Sequence, residues 1–222
     1  MKTRVIEADR DALPLGATCV RQGGLVVYPT DTVYGLGCDP FDDAAVARLF
    51  EAKARSEKPI PILCEDLKKA EELVDLSAFA LRLAKEFWPG ALTIVGPARV
   101  GLPFQVNQGS GEVGVRVPAH AFCHDLILAC GGVLAGTSAN LSGRPPCRTA
   151  REALKAMEGV VDLILDGGTC SGKESTVVRV RGNRTEVLRR GAIDLLGSHP
   201  REEEHMTQSF KSARNRGQGV EP

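Results

Sequence analysis

The sequence predicts a single α/β domain, a mixed β-sheet with helices packed on it. Three observations carry this. Short apolar runs alternate with longer stretches of helical period through most of the chain. Two β-rich runs, 175–181 and 184–189, flank Gly182-Asn183, a hairpin signal that places an antiparallel pair at the end of the sheet. No internal repeat or interior linker divides the pattern.

The elements follow in order. Residues 3–8 read as a strand. Residues 9–22 read as a helix, with Asp9 or Asp11 at its start and Gly23-Gly24 past its end. Leu25 to Tyr28 is a short apolar strand stopped by Pro29. Asp42 caps a helix running to about Ala54, with Ala45, Val46, Leu49 and Phe50 on one face. Residues 59–64 read as a strand, and 66–74 and 77–87 as helices, the second stopped by Trp88-Pro89-Gly90. Strands at 92–95 and 113–117 precede a helix at 121–130, the Gly131-Gly132 stop and a strand at 133–135. A helix at 150–157 leads to a strand at 163–165. After about Leu196 large apolar residues almost vanish. Residues 197–222 cannot bury enough area to offset their ordering entropy, so a mobile tail is expected behind a domain of residues 1–196.

Composition excludes several classes. Lys and Arg balance Asp and Glu at 28 each, so no global field draws the chain to nucleic acid or membrane. Aromatics are only 5%, too few for a base-stacking surface. The seven cysteines are odd in number and form no Cys-x-x-Cys pair, against a disulfide framework or zinc ribbon. Most lie in apolar runs and read as small core residues. The N-terminus shows no signal-peptide stretch, and no run approaches the ~20 apolar residues of a membrane span. A reducing, cytoplasmic setting is expected.

Three polar segments stand where predicted elements end: 29–37 (PTDTVYGLG), 53–59 (KARSEKP) and 137–143 (TSANLSG). They offer hydroxyls, an amide and three cations, an inventory suited to gripping a phosphate-bearing substrate. In the first, Thr30 to Gly37 reads as a loop at a carboxyl end of the sheet, where open α/β sheets hold ligands; the alternative is an ordinary turn with Asp31 as local cap. In the second, Lys53, Arg55 and Lys58 either hold a triphosphate or simply favour a helix C-terminus. In the third, Ser138, Asn140 and Ser142 either touch a nucleotide or cap a turn.

Outside these segments, Arg116 lies on the opposite face of its strand from Val113, Val115 and Val117, and is either a cleft cation or a solvated side chain. Ser175 at the start of a strand is a further candidate contact. Arg189 and Arg190 fall on opposite faces, so at most one points at a given site. His120 and His124 flank a helix start without a carboxylate pair to complete a metal site. The run 167–173 (GGTCSGK) imitates the start of a P-loop. Glu174 stands where that motif needs Ser or Thr, and a strand follows where it needs a helix.

Taken together, PTDTVYGLG, KAR with the later KP, VGVRVP (113–118), TSANLSG, ESTV (174–177) and VLRRG (187–191) resemble, in order, the YrdC family of threonylcarbamoyl-AMP synthases. The match covers about residues 15–193. The resemblance implies a twisted mixed sheet around a deep, positively charged cavity. It implies synthesis of threonylcarbamoyl-adenylate and pyrophosphate from L-threonine, bicarbonate and ATP, with Mg2+ accompanying the triphosphate. A downstream transferase would then modify a tRNA adenosine next to the anticodon. By resemblance, Thr32, Arg116 and Ser175 hold threonine. Arg55, Lys58, Ser138, Asn140 and Arg189 hold ATP, and Lys53 and Arg55 stand by the phosphates as the catalytic cations. No side-chain nucleophile and no protein-held metal is expected.

The sequence departs from the family pattern at Leu63, where some members have His, and at Glu112 and Arg148, where some have Thr. These changes bear on the pocket for the substrate's side chain. Longer relatives carry a further C-terminal domain, so the short type is expected here. Two other readings compete: a paralogue with different or weak carbamoylation activity, and a double-stranded RNA-binding module using the cavity's basic rim.

Overall fold

The structure is a computed structural model, and it describes residues 2–54 and 58–195. The expected tail at 197–222 lies outside the described residues, as does Arg55. The elements run β1 (Arg4–Glu7), α1 (Ala12–Arg21), β2 (Val26–Tyr28), β3 (Gly35–Gly37), α2 (Asp43–Ala52), β4 (Ile62–Cys64), α3 (Leu67–Leu73), α4 (Ala78–Phe87), β5 (Leu92–Pro97), α5 (Phe104–Asn107), β6 (Glu112–Arg116), α6 (Ala121–Ala129), β7 (Val133–Ala135), β8 (Thr137–Ser138), α7 (Ala150–Met157), β9 (Leu163–Asp166), β10 (Thr176–Arg181) and β11 (Arg184–Arg189).

The mixed α/β class stands, and the strands divide between two sheets. One has the order β1-β9-β2-β3-β8, the other β11-β10-β5-β6-β4-β7. Each mixes parallel and antiparallel pairs. The chain passes from the second sheet to the first at Gly136, between β7 and β8.

Local chemistry explains the helices well. Asp42 accepts from the N–H groups of Ala44 and Ala45 at the start of α2. Asp66, Ser77 and Thr149 cap α3, α4 and α7 in the same way. The apolar run of β2 is explained by burial on both faces. Val27 joins the larger core with Leu36, Ile62 and Ile94, while Val26 and Tyr28 join a smaller one with Leu126, Leu134 and Leu165.

The first segment departs from expectation. Thr30 to Gly37 is not all loop, because Gly35–Gly37 returns antiparallel to β2 with Tyr28 opposite Gly35. Gly-Leu-Gly has little strand propensity, so nothing local announced β3. Close approach explains the glycines. A Cβ on Gly35 would sit 2.7 Å from the Tyr28 ring, and one on Gly37 only 2.3 Å from the Ala135 carbonyl oxygen. The short elements α5 and β8 were likewise not expected.

Candidate functional site

Tertiary pairing brings the first and third segments side by side. β3 and β8 pair with Gly35 opposite Ser138 and Leu36 opposite Thr137. The Ala139 N–H donates to the Tyr34 carbonyl at 2.8 Å. The second segment is tied to the third by Lys53, whose Nζ donates to the Ser138 carbonyl, to the Asn140 carbonyl at 2.9 Å and to Asn140 Oδ1 at 3.4 Å. Ser142 N returns a bond to the Lys53 carbonyl at 3.0 Å. The Lys53 side chain is thus turned inward, only 2% exposed, and it shapes the Ser138–Asn140 turn. Asn140 Nδ2 in turn donates to the carbonyls of Leu141 and Arg144. Lys58 is exposed at the head of the run leading into β4.

The turn after β2 is organised by Thr30. Its hydroxyl donates to the Val33 carbonyl at 2.6 Å and accepts from the Thr32 and Val33 N–H groups. With that proton committed, the 2.9 Å contact between Thr30 Oγ1 and Thr32 Oγ1 makes Thr32 the donor. Thr32 Oγ1 then accepts from Arg116 Nη1 at 3.1 Å. Arg116, at the end of β6, is 6% exposed, not a solvated side chain. Its Nε donates to the Gly90 carbonyl at 2.8 Å, and its Nη2 pairs with Asp31 Oδ1 at 2.6 Å. Asp31 is therefore no local cap; that work is done by Thr30.

Ser175, just before β10, is also buried. Its hydroxyl lies 2.9 Å from Thr93 Oγ1 and accepts from Arg189 Nη2 at 3.0 Å. Arg189 further donates to the Ser175 carbonyl and pairs with Glu174 at 2.7 Å. Thr93 links the two groups: its methyl lies 3.3 Å from where a Gly114 Cβ would stand. Gly114 and Arg116 share a strand face, so Thr93, Ser175 and Arg116 are neighbours on one side of the second sheet.

Three participants escaped the sequence. Asp31 and Thr93 are chosen by contacts across 85 and 82 residues. The P-loop imitation is the third. Its Gly172 N–H donates to the Thr32 carbonyl at 2.7 Å, and Ser171 Oγ reaches the carbonyls of Asp31 and Thr32. Tyr34 holds the same run, donating to the Gly168 carbonyl at 2.8 Å and accepting from the Gly167 N–H. Burial pushes the Tyr34 phenol up to about 12, so it stays protonated and able to donate. The run buttresses the Thr30–Tyr34 turn.

The remaining candidates make other contacts. His120 caps α6, its Nδ1 accepting from the Cys123 N–H. Burial lowers its pKa. Glu112 pairs with Arg179 at 2.8 Å and with Arg181 at 3.7 Å, beside a cavity of about 300 Å³ that contains none of the predicted site residues. Leu63 is buried opposite Arg116 in the β4–β6 register. Arg148 Nε donates to the Cys170 carbonyl at 3.4 Å. All seven cysteines are free, and five are buried.

Comparison with known proteins gives a consistent answer. The Sua5/YciO/YrdC family model, described as telomere recombination, matches residues 18–191. A threonylcarbamoyl-AMP synthase of Pyrococcus abyssi is 39% identical over 184 residues, 82% of this chain and 54% of that protein. This chain thus spans little more than half the length of that relative. A threonylcarbamoyl-AMP synthase of Methylococcus capsulatus is 42% identical over 139 residues, 62% of this chain and 75% of that protein. Among solved structures, P. abyssi Sua5 complexed with L-threonine superposes with a TM-score of 0.84 at 36% identity, over 88% of this chain and 59% of that one. E. coli YciO superposes with a TM-score of 0.81 at 26% identity, over 87% of this chain and 98% of that one.

Proposed function

The chain belongs to the Sua5/YciO/YrdC family, and from that premise we propose that it is a threonylcarbamoyl-AMP synthase, making threonylcarbamoyl-adenylate and pyrophosphate from L-threonine, bicarbonate and ATP. The observation that carries this reading is the buried guanidinium of Arg116, set beside the Thr32 hydroxyl on the sheet face that also carries Thr93 and its partner Ser175. A cation at the end of a strand, flanked by hydroxyls, suits the carboxylate and side-chain hydroxyl of a small amino acid. The same group of residues was assigned to threonine by resemblance.

In this reading threonine's amine, once it has given up its ammonium proton to solvent, forms an N–C bond with bicarbonate as a C–O bond breaks and water leaves, giving a carbamate. A carbamate oxygen bonds to the α-phosphorus of ATP as the bond to the β-phosphate oxygen breaks and pyrophosphate leaves. No side-chain nucleophile takes part, so the protein's contribution is positioning and charge. Ser138 and Asn140 would face the nucleotide, with Lys58, Arg55 and Arg189 near its phosphates. A phosphate reaching Arg189 would compete with Glu174 for Nη1. Lys53 would act through the turn it anchors, holding Ser138 and Asn140 in place.

Magnesium would enter as the counter-ion of the triphosphate. Among the described residues no three His, Cys, Asp or Glu side chains gather where they could hold a metal ion. No helix among them is long and apolar enough to cross a membrane. Residues 1–196 would form the catalytic unit, and the product would pass to a transferase that modifies tRNA.

The test is pyrophosphate release by the purified chain. Release should require threonine and bicarbonate together. Absence of release, with tight RNA binding that falls steeply as salt rises, would instead establish the RNA-binding alternative.

A further inference from the structure

Asp31 and Arg116 form the most deeply buried ion pair among the described residues, with side chains 15% and 7% exposed. Nothing in the turn geometry requires the carboxylate, since Thr30 already satisfies the local N–H groups. Arg116 spends three of its five N–H groups, on Gly90, Thr32 and Asp31. One N–H on each terminal nitrogen therefore carries no hydrogen bond to the described residues. The second oxygen of Asp31, Oδ2, makes none either. Beyond the contacts within the chain, the pair thus keeps two N–H groups on Arg116 and, on the carboxylate bonded to its Nη2, the accessible oxygen Oδ2.

A site meant only for a carboxylate would be weakened by a resident carboxylate on its arginine, because like charges in a poorly hydrated place repel strongly. A free amino acid is different. Its carboxylate and ammonium are attached to one carbon, so a cation and an anion already in contact match both ends at once. We propose that Asp31 receives the α-ammonium of the amino acid whose α-carboxylate sits on Arg116, and so selects a zwitterion over a simple hydroxy acid. This inference rests on the reading of Arg116 as the threonine site. Ser171 and Gly172, bonded to the carbonyls of Asp31 and Thr32, hold the turn that aims the carboxylate.

Calorimetric titration of the full chain with L-threonine and with 3-hydroxybutyrate, which is threonine without its ammonium, tests it. Wild-type protein should bind threonine at least tenfold more tightly. Asp31→Asn keeps an oxygen for Arg116 but removes the charge. It should lose at least tenfold in threonine affinity while 3-hydroxybutyrate binds unchanged or more tightly. Asp31→Glu should recover part of the preference. Equal weakening of both ligands by Asp31→Asn would overturn the inference and leave Asp31 as a mere support for Arg116. A variant that fails to fold, judged by its melting curve, does not remove the test: wild-type protein binding both ligands equally would overturn the inference alone. Wild-type protein binding neither would overturn the threonine reading beneath it.

Discussion

Replacing Gly37 by Ala should damage the joint between the two sheets. The new methyl would stand 2.3 Å from the Ala135 carbonyl oxygen and 3.0 Å from both Leu134 Cγ and Tyr28 Cε1. Relief needs the backbones of β3 and β7 to separate by roughly 1 Å. Neither is loose. β3 is paired on both sides, and the next residue, Cys38, accepts a hydrogen bond from the Ala135 N–H at 2.9 Å. Overpacking of this kind costs about 1–3 kcal/mol, and weakening that bond adds about 1 kcal/mol. A total of about 2–4 kcal/mol should lower the melting temperature by roughly 4–16 °C for a domain of this size. Thermal and urea denaturation measure it, with Gly101→Ala as control, because a Cβ there meets nothing within 4 Å. Activity should fall too, since β3 carries the Thr32 turn and β8 carries Ser138. Stability of Gly37→Ala within about 0.5 kcal/mol of the control would refute the close-packing argument.

Lys53→Met should destabilise the chain by roughly 2–4 kcal/mol by leaving the carbonyls of residues 138 and 140 short of a donor, and should raise the ATP requirement more than the threonine requirement. Unchanged ATP kinetics would detach the turn from the nucleotide. Arg55→Ala should cost about 2 kcal/mol or more in ATP use, in the range of charged hydrogen bonds; near-normal steady-state kinetics would reduce Arg55 to a helix-end cation. Burial holds His120 below its ordinary pKa of 6.5, so the unfolded chain takes up protons more readily than the folded one as pH falls below that value, and stability declines. His120→Asn keeps a capping oxygen without the titration. Its urea midpoint should therefore drop less than wild type between about pH 7.5 and 5.5, and equal drops would refute the assignment.

Most of the α/β pattern was legible because its signals are local. Asp42, Asp66, Ser77 and Thr149 cap helices through N–H groups two or three residues away, and the turn at Gly182-Asn183 sits between strands six residues long. The candidate residues Lys53, Thr32, Arg116, Ser138, Asn140, Ser175 and Arg189 were legible as polar groups at the ends of such elements, and the order of their motifs identified the family. Sequence alone thus determined where most helices and strands form, though not β3, α5 or β8, and which polar side chains are available.

Tertiary structure decided the rest. It split the strands into two sheets, turned Gly35–Gly37 back onto β2, drew Lys53 inward to the Ser138–Asn140 turn, and set Asp31 against Arg116. The last two depend on partners remote in sequence: 85 residues for Lys53 with Ser138 and 85 for Arg116 with Asp31. Local propensity carries no information about such distances. Only packing both sheets around shared cores fixes which polar groups lose water together and must find one another.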